Sequence, residues 1–401
     1  MTIGSRPNSN ILVCGAGITG CALAFWLQKF GFEPTIVEQA PRFRDSGYMI
    51  DIWGTGYDVL ERSGLLEEAR KKSYAMDRIM FVDGQGTEIA GYGGEILHRA
   101  LHGRFFNLPR GDLARILYDA LNGNVETLYG TTIKGIKDKA DAAHVTFSHG
   151  PLRRFDLVIG TDGLRSRIRQ LTFGREGQYE KYLGYCAASF VAAGYPHRDP
   201  NAYVSHSRPG RQIARYAMRD DRSAFLFVFA EPHPGPIRWH GVTAQKEVLD
   251  THFALDGWEA PEILQYLWAT NELYFDTVSQ IQMPQWSRGR VALVGDAAYC
   301  PSLLAGEGAA FGMLGAFVLA GELHRANGNY IQAFAAYEKC LRGFLVRKQK
   351  IASDFAKYFA PTTELGLFLR NATLKLLDVP AVGVPLTRYM FGQSFALPSY
   401  G

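Results

Sequence analysis

The chain has 401 residues, 47% of them hydrophobic and 20% charged, enough for one large or two medium domains around a sizeable core. A net charge of +4, from 43 basic and 39 acidic residues, is too small, and the charges too dispersed, to argue for nucleic acid. Five cysteines with no CxxC pair argue against a disulfide framework or a zinc site, and make a reducing cytoplasm the expected location.

The first ten residues are polar and lack an apolar signal region. Ile11–Cys14 reads as a buried strand, followed by a glycine turn, a helix over Cys21–Phe30 stopped by Gly31, and a second strand at Thr35–Glu38. This is a βαβ unit. Asp58–Lys72 reads as helix broken at Gly64, and Gly111–Leu121 as helix introduced by Leu108-Pro109-Arg110. Strands follow from Val125 to Gly160, including Val145–Phe147 and the apolar run Phe155–Ile159.

From about Tyr179 to Met283 the pattern becomes aromatic and alternating. Ala188–Ala192, Gln212–Met218 and Ala224–Ala230 read as strands, separated by turns such as Arg208-Pro209-Gly210 and Pro232–Pro236. Val291–Val294 returns to buried-strand character. Helices are expected over Ala309–Arg325 and Ile331–Phe359, and the apolar tail Pro361–Gly401 is expected to pack on the body. Leu303–Gly321 is apolar but carries Glu307 and many glycines, so it reads as a buried helix rather than a membrane span.

The chemistry concentrates in three glycine-rich segments. In Gly15-Ala16-Gly17-Ile18-Thr19-Gly20 the first glycine permits a tight turn and the second lets backbone approach a pyrophosphate. The third packs helix on strand. The helix N-terminus then offers free N–H groups to phosphate. Glu38, about twenty positions on, stands where a carboxylate accepts ribose hydroxyls. The second segment, Gly289–Ala298 with Gly306-Glu307-Gly308-Ala309, ends a buried strand at Gly295-Asp296 and opens a helix. Asp296 is placed for the ribityl chain of FAD, and the positive end of the helix for the flavin pyrimidine ring. The third segment, Asp156–Ser166, ends a strand at Asp162-Gly163, where a carboxylate could cap backbone N–H groups.

Together these segments resemble the Gly-rich, Gly-Asp and Asp-Gly motifs of the class A flavoprotein monooxygenases, the p-hydroxybenzoate hydroxylase-like family, over about Asn10–Phe359. The resemblance implies an α/β fold. A Rossmann-like FAD-binding domain (1–178, returning at 284–325) would hold an inserted, mostly antiparallel substrate sheet (179–283), with a C-terminal helical region (326–401). Arg110 matches the family's FAD-contacting arginine, and Arg44 with Gly47 the loop that moves with the flavin. The implied chemistry is reduction of FAD by NADPH or NADH, reaction with O2 to a C4a-hydroperoxyflavin, and hydroxylation of an aromatic or enolic small molecule. No catalytic side chain is named, because the flavin does the oxidation.

Within the family, Gly295–Ser302 and Leu319–Leu323 are similar to the tetracycline-inactivating branch, which implies antibiotic modification and a fused-ring, polyketide-like substrate. Trp53, Phe190, Arg215 and Phe227 are the candidate substrate contacts. The chain departs from the family at Tyr299, where His is usual, at Glu307 and Ala310, where Gln and Asn are usual, at Leu303 and at Trp53. Glu307 is expected to point away from the flavin or to alter its redox behaviour. The alternatives are an FAD dehydrogenase or reductase on the same fold, or a non-catalytic FAD-binding relative. His98 and His102 could share a helical face but have no third ligand, so no metal is expected. No stable membrane insertion is expected, and the oligomeric state is open.

Overall fold

The computed structural model describes residues 7–44, 47–175, 177–197, 199–233 and 241–400. The polar N-terminus before residue 7, residues 234–236 of the proline-rich turn and residue 401 lie outside them.

Two principal sheets build the molecule. The first has six strands in the order Ser287–Arg288, Val291–Leu293, Leu157–Gly160, Asn10–Cys14, Glu33–Val37 and Glu126–Leu128. All neighbours run parallel except the edge strand Ser287–Arg288. Ile11, Leu12, Val13, Leu157, Val158 and Ile159 are fully buried, as expected of parallel strands covered on both faces. Helices Ile18–Lys29, Gly308–Arg325 and Tyr330–Phe359 supply one cover. Val291–Leu293 pairs with Leu157–Gly160, so the chain returns to its first sheet after a long excursion.

The second sheet has seven strands in the order Tyr274–Ile281, Glu180–Ala193, Arg222–Ala230, Arg211–Ala217, Ala202–Arg208, Arg78–Val82 and Glu88–Gly93. It is antiparallel apart from the pairing of Ala202–Arg208 with Arg78–Val82. The expected insert at 179–283 therefore supplies five strands, and two more come from the segment expected to belong with the first sheet. The same region also holds two helices that the alternating pattern concealed, Gly241–Phe253 and Ala260–Ala269. Leu249, Phe253, Ile263, Leu264 and Leu267 of these helices pack on Phe190, Phe225, Phe227 and Phe229. One face of the sheet is thus closed, and the other looks toward the first sheet.

Between the two layers lies a short antiparallel ribbon, Met49–Trp53 paired with Phe105–Pro109. Helix Gly54–Ser63 leaves it directly and ends at Gly64, whose left-handed φ of 83° stops the helix as its composition suggests. The tail packs on the body. Helix Glu364–Leu377 lies on strand Glu88–Gly93 and helix Pro380–Phe391 on helix Gly94–Ala100. The terminus then docks by Tyr400, whose hydroxyl donates to Glu322 Oε1 at 2.8 Å. Gly321 leaves the room for that ring, since a Cβ there would stand 2.2 Å from it. Among the described residues no helix is long and apolar enough to cross a membrane.

Candidate functional site

Four chain segments converge at the C-terminal edge of the first sheet. Gly15 has φ +111° and donates its N–H to Val37 O at 2.8 Å. A Cβ there would stand 2.9 Å from Thr161 O, and one at Gly20 only 1.8 Å from Gly15 O. The spacing of the glycines is therefore dictated by packing of turn, helix and neighbouring strand. Gly17 differs: the nearest atom to a Cβ there is Arg110 Nη2, at 3.8 Å. Helix Ile18–Lys29 starts at Gly17 with no side-chain cap, so its first-turn N–H groups are free for an anion.

Arg110 opens helix Arg110–Asp119 and donates its backbone N–H to Tyr48 O. Gly47, at φ +151°, lies against it: a Cβ there would be 3.2 Å from Arg110 Cβ. Gly17, Gly47 and Arg110 are thereby brought together, whereas Arg44 is exposed. Glu38 accepts from Ala16 N at 2.9 Å and Ala40 N at 2.8 Å, so it first braces the glycine turn. Each carboxylate oxygen keeps a lone pair for a further donor.

Asp162 accepts from Ser166 Oγ and from Ile168 N at 3.0 Å, capping helix Arg167–Thr172. Burial raises its carboxyl, against those hydrogen bonds. Arg169 donates to Ala297 O at 3.0 Å and Leu164 O at 2.7 Å, which joins the Asp162 segment to the Asp296 segment. Asp296 follows Gly295, at φ +68°, where a Cβ would strike Thr19 Oγ1 at 2.7 Å. Burial raises the Asp296 carboxyl, and the Arg110 charge and Cys300 thiol oppose that. Gly306 carries φ +69° and faces the Trp53 ring, 3.3 Å from where its Cβ would be. Gly308 and Ala309 open helix Gly308–Arg325.

These residues fit FAD. An uncapped helix start with an open glycine suits a pyrophosphate, and Arg110 and Asp296 carry opposite charges with no ion pair to another side chain among the described residues. Tyr48 and Tyr274, with ring centroids 5.4 Å apart, border the same space. Burial pushes the Tyr48 hydroxyl up to about 12.

The unusual positions have local explanations. Tyr299 turns into the core, where Tyr337 donates to its hydroxyl at 3.1 Å and Trp286 packs 4.7 Å from its ring. Gly315 makes space for it, since a Cβ there would be 1.8 Å from the Tyr299 oxygen. Ala310 packs on helix Gly54–Ser63, 2.9 Å from where a Gly56 Cβ would be. Glu307 is turned to Lys348 of helix Tyr330–Phe359, which donates to it at 2.7 Å.

Three of the four expected substrate contacts require correction. Phe190 and Phe227 lie on the helix-covered face of the second sheet, Phe190 stacked 4.7 Å from Phe225 and Phe227 5.0 Å from Phe253. Strand alternation sends them away from the first sheet. Arg215 shares that face and is 5% exposed. It is held by Asp199 at 2.6 Å and Glu259 at 2.8 Å, so it anchors helix Ala260–Ala269. Trp53 alone stays at the site, edge-on to Phe391 at 5.8 Å. His98 lies within helix Gly94–Ala100 but His102 lies beyond it at φ +53°, so the two share no helical face.

The inner face of the second sheet presents Tyr92, Val191, Tyr203 and Leu226, half-buried although they lie between two layers. From their partial exposure between the layers we infer a cleft there. Opposite them the ribbon presents Met49 and Asp51. Asp51 and Asn107 were not expected from sequence. The available signal was Met49-Ile50-Asp51-Ile52-Trp53, where one carboxylate shares a strand face with Met and Trp.

With the geometry in place, the comparisons are specific. The family model described as the FAD binding domain matches residues 8–328. An uncharacterised protein of Mycobacterium tuberculosis is 38% identical over 86% of this chain and 92% of its own. A flavin-dependent monooxygenase of Legionella longbeachae is 32% identical over 95% and 98%. The crystal structure of tetracycline destructase Tet(55) superposes with a TM-score of 0.84 at 28% identity, covering 98% of this chain and 99% of that one. The chain belongs to the FAD-binding family and is a class A FAD-dependent monooxygenase.

Proposed function

We propose that the enzyme hydroxylates a fused-ring, polyketide-like small molecule with an aromatic or enolic ring, a tetracycline being one candidate. The observation that carries this reading is the partial exposure of facing residues on the ribbon Met49–Trp53 and on the inner face of the second sheet, which we read as a cleft. It opens beside Trp53 and Gly306 and is lined by Met49, Tyr92, Val191, Tyr203 and Leu226. Flat apolar and aromatic walls with few polar groups suit a planar ring system. Likeness to a tetracycline destructase over nearly the whole chain supports the same substrate class.

In this reading Gly15, Ala16, Gly17, Ile18, Thr19 and Gly20 hold the pyrophosphate of FAD and Glu38 its ribose. Arg44, Gly47, Arg110, Asp162 and Asp296 hold the middle of the cofactor, and Gly306, Gly308 and Ala309 border the flavin ring. When bound and reduced by NADPH or NADH, FAD supplies oxygen transfer from O2. The chain's own residues bind and orient the cofactor, seat the ring in the cleft and exclude water. The first sheet with its return segment then serves the cofactor, and the second sheet, including Arg78–Val82 and Glu88–Gly93, serves the substrate.

The test is NADPH consumption across a panel of phenols, fused-ring polyketides and tetracyclines under 18O2. One labelled oxygen in a fused-ring product is the expected result. Label only in simple phenols removes the fused-ring reading.

A further inference from the structure

Asp51 and Asn107 stand directly across the ribbon from each other. Arg110 N donates to Tyr48 O, and Pro109, opposite Met49, has no N–H to give. By alternation Asp51 and Asn107 form a non-hydrogen-bonded pair, the kind in which side chains approach most closely. Ile50, Ile52, Phe106 and Leu108 point into the core of the first sheet. Asp51 and Asn107 therefore point the other way, toward the second sheet.

Neither side chain is satisfied. Asn107 is 0% exposed, and both its Nδ2 and Oδ1 lack a hydrogen-bond partner. The Tyr216 hydroxyl donates to Ala75 O at 2.7 Å, and its oxygen faces the Asn107 amide without closing a hydrogen bond of standard geometry. Asp51 makes no hydrogen bond or ion pair to any described residue, and its carboxyl is lifted to about 6 by burial alone. The groups whose titration feels its charge are the Tyr92, Tyr203 and Tyr216 hydroxyls, and no cation is among them. A half-buried carboxylate without a side-chain partner beside a fully buried, unsatisfied amide reduces stability. Such a pair is explained if a ligand supplies the missing partners.

We propose that Asp51 is the polar anchor of the cleft: its carboxylate accepts the hydrogen bond of a phenolic or enolic hydroxyl on the substrate ring, and Asn107, directly across the ribbon, offers its unsatisfied amide to the same substituent. This rests on the monooxygenase reading of the cleft, and it adds which ring substituent the cleft selects. A hydroxyl sharing its proton with a carboxylate pushes electron density into the ring, the density on which oxygen transfer to carbon depends.

The experiment is calorimetric titration of the oxidised holoenzyme with 1-hydroxy-2-acetonaphthone, its O-methyl ether and 2-naphthylmethylamine, so binding is read without turnover. The wild type is expected to favour the free hydroxyl over the ether by about tenfold or more. Asp51→Leu is expected to abolish that ratio and Asn107→Leu to narrow it, with ether affinity unchanged in both. Asp51→Asn, nearly isosteric, guards against misfolding and is expected to lower the ratio. The ligand-free melting temperature of Asp51→Leu is expected to rise, whereas a purely structural Asp51 would make it fall. A wild type with no hydroxyl preference, or one that favours the amine, overturns the proposal. Label incorporation from 18O2 alongside an unchanged ratio in Asp51→Leu would sink this inference and leave the monooxygenase reading standing.

Discussion

Lys348 Nζ donates to Glu307 Oε1 at 2.7 Å, with the two side chains 7% and 17% exposed. Glu307 immediately precedes helix Gly308–Arg325. Burial raises its carboxyl, and the Lys348 charge and hydrogen bond lower it again. Its charge is thus matched from helix Tyr330–Phe359. Removing one partner of a buried pair strands the other charge. Lys348→Met is expected to lower unfolding free energy by about 3 kcal/mol, and the double variant Glu307→Gln/Lys348→Met to recover most of it. Urea denaturation of the four members of the cycle checks this; additive losses would show that the pair is not coupled.

Arg110 is the cation that the glycine turn leaves unpaired. Arg110→Leu is expected to weaken FAD binding by about one to two orders of magnitude, the worth of a charge-assisted hydrogen bond. Gly47→Ala is expected to act in the same direction but less. Its φ of +151° is unfavourable to a side chain, and the new Cβ would press on Arg110 Cβ at 3.2 Å. Flavin fluorescence during titration of apoprotein measures both. A Gly47→Ala protein with wild-type affinity would separate that loop from the cofactor.

The Asp51 carboxyl is raised from 3.8 to about 6, and the sign of its linkage follows. Between those values the folded protein keeps a proton that the unfolded chain has released, so folding is favoured at the acid side. That contribution is fully present below 3.8 and is lost as pH rises through about 6. Asp51→Asn carries no titrating group there. Its melting temperature relative to wild type is therefore expected to climb from pH 4 to pH 7 and then level off. A difference that stays flat across that window would place Asp51 in contact with water.

Much of this was legible in the sequence because it is local. The βαβ unit, the break at Gly64 and the helices Gly308–Arg325 and Tyr330–Phe359 are written in glycine placement and apolar period. The substrate wall was not. Phe190 and Phe227 carry the aromatic character expected of a pocket, but which face of a strand meets the flavin depends on what covers the other face. Here helices Gly241–Phe253 and Ala260–Ala269 cover it, and both were hidden in a segment read as strands. Asp51 and Asn107 escaped for a related reason: their significance lies in having no partner, and only the assembled layers reveal that.

The tail offers the last expectation. Arg370 of helix Glu364–Leu377 is 3% exposed and has no carboxylate partner among the described residues. It donates to Ser207 Oγ at 3.1 Å, Gln212 Oε1 at 3.2 Å and Phe359 O at 3.2 Å, and lies 4.5 Å over the Phe81 ring. Burial brings its guanidinium down to about 10. The far end of the tail is held separately, by Tyr400 on Glu322 and by Arg325 on Ser399 O at 2.9 Å. Arg370→Ala removes the near anchor and its hydrogen bonds to Ser207, Gln212, Phe359 and Asn371, a loss of about 2 kcal/mol. The remaining hold on strand Glu88–Gly93 is at the far end of helix Glu364–Leu377, through Leu374 and Leu377 on Ala90 and Gly93 N donating to Asp378 Oδ1 at 2.9 Å, while Leu365, Phe368 and Leu369 near its start are exposed. Limited proteolysis of Arg370→Ala is therefore expected to cut first between Pro361 and Val379, with the Tyr400 end still attached. Cutting that begins beyond residue 391 instead would show that the terminus, and not Arg370, keeps the tail on the body.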